Sequence, residues 1–264
     1  MRSAHGAGFL YALSLDLGIT NPDFVVGSSG DSANILSYAA QNKNQSEALK
    51  TVWTKLLSTS KFISLLRFWQ IMNVDYLIDT VFKKEVSIGL DALQKSSMEY
   101  YIAVVDAVSG KPMYLSREDN IDPFEILRAA NALPILYGKT VTLRYGDFID
   151  GKIGQTVQDH IEFALFKGAT RILLIDDSPE RTFFRKIVIW LYAYTCTPAL
   201  RKAVLRDLRT KTNPRVPVGV QLLYVQAKHL PLLIGKNKKK LQQTFEIGRQ
   251  DALNREKELR TLFR

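Results

Sequence analysis

Apolar residues follow two periodicities along the chain, and their alternation predicts an α/β fold. Short, nearly continuous apolar runs are typical of buried strands, whereas apolar positions that recur every three or four residues are typical of helices. Runs of the first kind predict strands at 24–27, 101–108, 113–115, 141–144, 148–149, 171–175 and 218–225. Stretches of the second kind predict helices at 4–17, 31–40, 122–132, 156–167, 181–194, 198–208 and 238–262. Because 171–175 is apolar at almost every position, we expect a mostly parallel sheet with both faces covered.

A helical insertion is predicted between the first two strands, at about residues 45–97. Residues 47–82 are predicted to be mostly helical, with breaks near 58–60 and at Asn73, and a further helix is expected at 87–97. Its apolar residues recur at helical spacing and are expected in the core: Trp53, Leu56, Leu57, Phe62, Leu65, Leu66, Trp69 and Met72. No repeat or linker divides the chain, so the pattern predicts one domain over residues 1–264.

The composition narrows the classes of protein that the chain can belong to. Its 264 residues, 46% of them hydrophobic, are enough for a large domain with a sizeable core. The single cysteine, Cys196, excludes an intramolecular disulfide and a zinc site built from cysteines. The start of the chain lacks a secretory signal pattern, and the longest apolar run, 187–196, is too short to span a bilayer. We therefore expect a cytoplasmic protein that can associate peripherally with a membrane.

Positive charge is concentrated at the end of the chain. The net charge is +10, and residues 181–264 hold 19 Lys and Arg against 5 Asp and Glu. This excess indicates an anionic partner, a phospholipid surface or a nucleic acid, or else a solvated basic face without a partner. A lysine run at 236–240 favours nucleic acid, but the sequence carries no nucleic-acid motif, so this partner is the weakest candidate. Basic and apolar residues interleave as in an interfacial helix at Arg201, Lys202, Arg206 and Arg209 and at Leu200, Val204, Leu205 and Leu208.

The strand at 24–27 and the helix from Asp31 are joined by a tight turn with a serine. Strand, sharp turn and helix is the layout of a nucleophile elbow, in which the serine is lifted clear of the sheet. Reading Gly-x-Ser from Gly27 makes Ser29 the nucleophile, with Gly30 completing the turn. The helix behind it favours negative charge that develops near its N-terminus. The alternative is an ordinary strand-to-helix loop capped by Ser29, Asp31 or Ser32.

A serine nucleophile needs a base within reach, and the sequence offers four candidates. Three are the histidines His5, His160 and His229, and the chain order Ser29, Asp150, His229 is that of an α/β-hydrolase triad. Each histidine can equally be structural or exposed. Asp150 is the better candidate because it directly follows a strand, at the kind of position where α/β sites collect, although an Asp-Gly turn is also a common loop. An Asp base requires an oriented hydrogen bond to the serine or a pKa raised by burial.

Four stretches of the chain together resemble the motifs of bacterial patatin-like phospholipases. These stretches are Val25–Ser32 for the elbow, Ile102–Gly110 for a strand and turn, Arg128–Pro134 for a helix end, and Phe148–Asp176 for an Asp-Gly turn, helix and apolar strand. They cover roughly residues 1–180. The resemblance implies a three-layer α/β/α fold of modified α/β-hydrolase type, and a lipid acyl hydrolase that works through an acyl-enzyme. It also implies a catalytic dyad of Ser29 and Asp150 that needs no metal or cofactor.

The resemblance also implies an oxyanion loop rich in glycine, directly before the first helix. In this chain only its tail is matched, with Arg2 as the basic residue and Ser3 in place of the last glycine. Asp31 replaces the final glycine of the elbow motif, and Lys152 replaces the small third residue of the Asp-Gly motif. Because no strand precedes the first helix, we expect either that the start lies inside a longer coding region, which would encode a strand and the glycines, or that the chain is a truncated form.

These observations leave a leading function and an alternative. The leading function is hydrolysis of acyl esters of phospholipids or similar lipids by a Ser–Asp dyad. The alternative is a catalytically impaired member with the same fold that binds lipid surfaces or a partner.

Overall fold

The computed structural model describes residues 1–86, 89–178, 183–209, 214–227, 230 and 235–264, and it confirms the α/β class. In these residues the strands are β1 (Phe24–Ser28), β2 (Glu99–Asp106), β3 (Pro112–Leu115), β4 (Val141–Leu143), β5 (Gly146–Asp150), β6 (Arg171–Asp176) and β7 (Gln221–Gln226). The α-helices are α1 (Ala4–Tyr11), α2 (Asp31–Ala39), α3 (Lys43–Thr51), α4 (Leu90–Lys95), α5 (Pro123–Ala130), α6 (Pro134–Tyr137), α7 (Val157–Phe166), α8 (Phe183–Thr195), α9 (Pro198–Arg209), α10 (Lys238–Asn254) and α11 (Glu256–Leu262).

The central sheet is built around β2 and is mixed. β1 pairs with β2 in parallel, whereas β3 and β5 pair with β2 antiparallel, and β4 extends the sheet from β5. Along β2, β1 pairs with residues 99–103 and β5 pairs with residues 104–106. β3 pairs with residues 102–105, which overlap both of these sets. Because a strand has only two edges, β1 and β5 must share the edge opposite β3. Their carboxyl ends therefore meet along β2.

A second sheet consists of β6 and β7, which pair in parallel over six residues. In the described part of the chain, β1 pairs only with β2 and β6 only with β7. Residues of β1 and β6 line a common cavity of about 1970 Å³. The two sheets are thus separated along this cavity, and the sequence had predicted one sheet.

Helices cover the sheets and complete the core. α2 packs on β1 and β2, α5 packs on β2, β4 and β5, and α7 and α11 contact the β6–β7 sheet. The first helix, α1, lies against α10 and continues as a π-helical turn over Ala12–Asp16. Most of the buried apolar side chains form one continuous cluster that includes Phe9, Leu36, Ile102 and Phe148. Within the described residues, no helix is both long and apolar enough to cross a membrane.

The insertion is helical at both ends, as predicted, but the residues between its two helical parts form a loop. α3 continues as a π-helical segment over Val52–Leu56, and helix resumes only at Tyr76–Glu85, again with π geometry. Between them the chain folds back on itself through an antiparallel bridge between Ile63 and Met72. Side chains in this loop do not follow a helical period, so three residues predicted for the core are exposed instead: Leu65, Leu66 and Trp69. The prediction holds for three others, which are buried: Trp53, Leu57 and Phe62.

Candidate active site

The Ser29 turn has the geometry of a nucleophile elbow. Two residues, Ser29 and Gly30, join the end of β1 to the start of α2. Ser29 adopts a φ of 54°, in the left-handed region that non-glycine residues rarely occupy. A Cβ added at Gly27 would lie 2.9 Å from the Ile35 side chain, and a Cβ added at Gly30 would lie 2.9 Å from the Ser3 hydroxyl. Both glycines therefore let neighbouring segments approach closely. Such strain is typical of a residue that the surrounding structure holds for a function.

Asp150 ends β5 at the point where β5 meets β1. Ser28 pairs with Ala103 of β2, and Asp150 pairs with the next residue of β2, Val104. The elbow and the carboxylate are therefore neighbours along the same edge of β2. Asp150 is fully buried, and its Oδ1 accepts a hydrogen bond of 2.8 Å from the Lys152 amide. The structure therefore brings together Ser29 and Asp150, which are far apart in the sequence.

The surroundings of Asp150 raise its pKa toward neutral pH. Burial raises its pKa, and hydrogen bonds from the Ser29 hydroxyl and the Lys152 amide lower it again, leaving a pKa of about 6. Among the described residues, the Asp150 Oδ2 atom has no well-aligned hydrogen-bond partner. Hydrogen bonds between catalytic groups are often poorly aligned before substrate binds. A carboxylate with a spare oxygen next to a serine hydroxyl can accept the proton of that hydroxyl.

A partly buried ionic cluster lies beside the dyad. Lys152 Nζ lies 2.8 Å from Asp177 Oδ1 and 3.4 Å from Asp31 Oδ2. Burial and the charge of Asp177 raise the pKa of Asp31 to about 6. Burial also raises the pKa of Asp177, but the charge of Lys152 outweighs it and lowers the value to about 2. Burial lowers the pKa of Lys152, and the charges of the two carboxylates more than reverse this, so Lys152 stays protonated.

The first residues of the chain pack against the elbow and this cluster. Arg2 donates from Nε to the Asp177 carbonyl over 2.6 Å, and the Ser3 hydroxyl donates to Asp31 over 3.0 Å. The Ser3 carbonyl accepts a 2.8 Å hydrogen bond from Asn34. The two residues predicted as the remnant of an oxyanion loop are thus next to the turn that carries Ser29.

A small, mostly apolar cavity of about 110 Å³ opens from Ser29. Its walls come largely from the insertion and from the segment after α5. The apolar side chains that line it include Trp53, Leu57, Phe62, Ile63, Ile71, Met72, Leu77 and Leu136. Such a lining suits an acyl chain better than a polar group.

The histidines within the described residues are held by other partners. His5 is buried in α1, and its Nε2 lies 2.8 Å from Asp251 of α10. His160 Nδ1 lies 3.0 Å from the Tyr114 hydroxyl, and burial lowers its pKa to about 4. His229, the third member of the alternative triad, lies outside the described residues.

Two contributors to the site were not predicted from the sequence. Asp177 follows the end of β6, so the rule that sites collect at strand ends could have identified it. Asn34 bridges the Ser3 carbonyl and Trp53, whose indole donates to Asn34 Oδ1 over 2.8 Å. A single polar residue on a helix gives no sequence signal for such a bridge.

Comparison of the chain with protein-family models and with curated proteins finds no match. In the described part of the chain, no group of three or more His, Cys, Asp or Glu side chains is arranged to hold a metal ion. The assignment of function therefore depends on the site itself.

Proposed function

We propose that the protein is a serine hydrolase of lipid acyl esters, with Ser29 as nucleophile and Asp150 as general base. One observation carries the proposal: a serine in strained left-handed geometry lies beside a buried carboxylate with a pKa near 6, whose Oδ2 atom has no well-aligned hydrogen-bond partner among the described residues. A base is most effective when its pKa lies near the working pH. The patatin-like motifs and the mixed α/β fold support a three-layer α/β/α phospholipase of that family.

In the first half-reaction, Ser29 Oγ attacks the ester carbonyl while Asp150 takes the hydroxyl proton. The tetrahedral intermediate collapses, Asp150 returns the proton to the leaving alkoxide, and the acyl group remains on Ser29. In the second, Asp150 removes a proton from water, which attacks the acyl-enzyme, and the proton finally returns to Ser29. Backbone amides at the start of α2 and in the Arg2–Ser3 segment are the candidate donors to the oxyanion.

The apolar cavity supports a lipid substrate. Its lining would hold the first carbons of an acyl chain, while the head group would remain outside. The cavity of about 110 Å³ is smaller than the usual ligand site of about 300–1,000 Å³, so its walls must move to admit a whole chain.

The small cavity also favours the second candidate function. In a catalytically impaired member, the ionic cluster around Lys152 would stabilise the fold, and the protein would bind lipid surfaces without cleaving them.

A fluorophosphonate probe and a short-chain nitrophenyl ester test the proposal. We expect the probe to label Ser29, as located by mass spectrometry, and the protein to hydrolyse the ester. Ser29→Ala should abolish both, and Asp150→Asn should remove nearly all hydrolysis, because members of a catalytic unit fail together. Ser28→Ala, at the last residue of β1 directly before the turn, is the matched control and should remain active. A folded protein that neither reacts with the probe nor cleaves the ester would favour the binding function.

A further inference from the structure

Four large apolar side chains within five residues project from the insertion. The exposed fractions are 74% for Leu65, 89% for Leu66, 80% for Phe68 and 64% for Trp69. Isolated apolar residues are common on surfaces, but a contiguous group of this kind marks a contact with another molecule or a membrane. We refer to residues 64–70 as the apolar loop.

The apolar loop is folded, so its exposure is a defined feature of the surface. The Ser64 amide donates to the Ile71 carbonyl over 2.9 Å, next to the bridge between Ile63 and Met72. The Arg67 guanidinium donates to the carbonyls of Lys61 and Phe62, each over 3.0 Å. These bonds hold the tip in place without burying its apolar side chains.

The base of the loop reaches the candidate active site. Ile63 and Met72, which form the bridge, line the same small cavity as Ser29. Phe62 and Ile71 line it as well. The base of the loop therefore forms part of the wall of the cavity that contains the nucleophile.

The charges around the loop identify the kind of surface that it fits. Residues 48–74 contain Lys50, Lys55, Lys61 and Arg67, and no Asp or Glu. The next residue, Asp75, accepts a hydrogen bond from Gln70 of the loop, and its charge is paired with Arg128 Nη1 at 2.6 Å. Apolar residues flanked by cations, with a tryptophan among them, match the interface of an anionic bilayer, where lipid tails, head groups and water meet. Lys55 and Lys61 are exposed and available to head groups.

We propose that the apolar loop inserts into the surface of an anionic phospholipid membrane and brings the cavity of Ser29 to the lipid. The delivery of substrate to Ser29 rests on the proposed function, whereas docking does not. The loop is separate from the basic helix α9, which the sequence analysis assigned to membrane contact.

Co-sedimentation with vesicles tests docking directly. We would use vesicles of phosphatidylcholine with and without phosphatidylglycerol, and the double variant Leu66→Ser/Phe68→Ser. Because interfacial binding scales with the buried apolar area, we expect the double variant to lose about tenfold or more in partitioning to the anionic vesicles. Phe166→Ser is the matched control, since Phe166 is 85% exposed on α7 and outside the loop. Its partitioning should stay within about twofold of the wild type.

A second measurement does not depend on those variants. Brominated lipid tails should quench the fluorescence of the wild type, and Trp69→Phe should remove most of that quenching. Partitioning of a folded double variant equal to that of the wild type, or quenching unchanged by Trp69→Phe, would overturn docking through the loop. Dissociation of a lipid-free dimer by the double variant would also overturn it, because the loop would then bind a second copy of the chain.

Activity assays separate docking from catalysis. We expect the double variant to hydrolyse a soluble short-chain ester at the wild-type rate and vesicle lipid more slowly. If the wild type hydrolyses neither substrate, the proposed function fails, and the vesicle measurements still decide whether the loop docks.

Discussion

Lys152 and Asp31 form an ion pair beside the elbow, with 3.4 Å between Nζ and Oδ2. They stand at two of the positions where the sequence departs from the patatin-like motifs that it resembles, each in place of a small residue. The two departures therefore compensate each other, and Asp177 provides the second carboxylate that Lys152 contacts at 2.8 Å. The charges form one local network with Ser3, which donates to Asp31 over 3.0 Å.

Removing Lys152 should destabilise the fold. Lys152→Met would leave Asp177 and Asp31 without their shared cation. Breaking a fully buried pair from one side costs about 3 kcal/mol or more, and solvent at the partly exposed Lys152 and Asp31 reduces the expected loss to about 1–3 kcal/mol. Denaturant unfolding at pH 8 measures the loss. Lys202→Met, at an exposed lysine on α9, is the control and should stay within about 0.5 kcal/mol of the wild type.

The same pair can be tested by restoring the motif. Asp31→Gly/Lys152→Gly removes both charges together, so we expect it to be less destabilised than the sum of the two single variants. Additive effects in this double-mutant cycle would mean that the two side chains do not interact in solution.

Activity should rise with pH through about 6. Asp150 must be ionised to accept the Ser29 proton, and its pKa is raised to about 6 by burial, partly offset by hydrogen bonds from Ser29 and Lys152. The measurement is kcat/KM for a soluble ester as a function of pH. Asp31 also has a pKa raised to about 6, so Asp31→Asn is the decisive control. A midpoint that disappears in Asp31→Asn would assign the titration to Asp31 and contradict the role of Asp150.

Asp150→Asn should stabilise the protein at alkaline pH. The folded pKa of Asp150 lies above the unfolded value, so the folded state holds its proton longer, and stability falls as pH rises from about 4 to about 6. Two pKa units correspond to about 3 kcal/mol, which is the largest gain expected from Asn at pH 8.

Urea unfolding at pH 8 and at about pH 4 checks this expectation. The gain should fall below about 1 kcal/mol at the lower pH, where the folded state keeps the proton and the unfolded state, with a pKa of about 3.9, keeps about half of it. Asp23→Asn, at an exposed position before β1, is the control and should show little effect at either pH. Destabilisation by Asp150→Asn at pH 8 would show that ionised Asp150 stabilises the fold.

The sequence predicted those parts of the molecule that depend on local signals. The β1 strand, the turn at Ser29 and α2 lie where the apolar run, the glycines and the helical period place them. The hairpin of β2 and β3 also follows from short-range patterns. The meeting of Ser29 with Asp150 was reached through the strand-end rule and the family resemblance, since neither residue signals the other.

The remaining features depend on contacts that no local pattern encodes. Leu65, Leu66 and Trp69 have helical spacing, but the bridge between Ile63 and Met72 turns them outward. The pairing of Lys152 with Asp31 and Asp177 joins three separate segments. Burial of such a network depends on the whole fold, so the sequence showed Asp31 and Lys152 only as departures from a motif.

A basic residue of α9 tests the membrane contact predicted from the sequence. Leu200 and Val204 are buried against the domain and do not reach a membrane, and the side chains of Leu208 and Arg209 lie outside the described residues. Arg201 donates to the Ala193 carbonyl and Arg206 to Asp159, and reversing those charges would disturb the fold. Lys202 is exposed, and we expect Lys202→Glu to reduce binding to phosphatidylglycerol vesicles at low salt and to have little effect at high salt. Equal binding of Lys202→Glu and the wild type at low salt would exclude Lys202 from the contact.

The cavity between β1 and β6 should accept one additional strand. Residues of both strands line this cavity, and each strand has one edge that lacks a partner in the described part of the chain. Lys152 contacts Asp31, just after β1, and Asp177, just after β6, so the carboxyl ends of the two strands lie together. A strand parallel to both would form hydrogen bonds with the unpaired backbone N–H and C=O groups of β1 and of β6, and it would join the two sheets.

An extension fused ahead of Met1 tests this expectation. Arg2 donates to the carbonyl of Asp177, so a segment leading into Met1 would end at the carboxyl side of the cavity and run parallel to β1. The extension would carry five apolar β-formers, the length of β1, followed by glycines. We expect it to raise the Tm, and amides of the glycines that serve as oxyanion donors should raise ester hydrolysis by about 10²–10³. The control has proline at the second and fourth strand positions, because proline cannot donate to a neighbouring strand. Equal Tm values for the two extensions would show that no strand forms in the cavity.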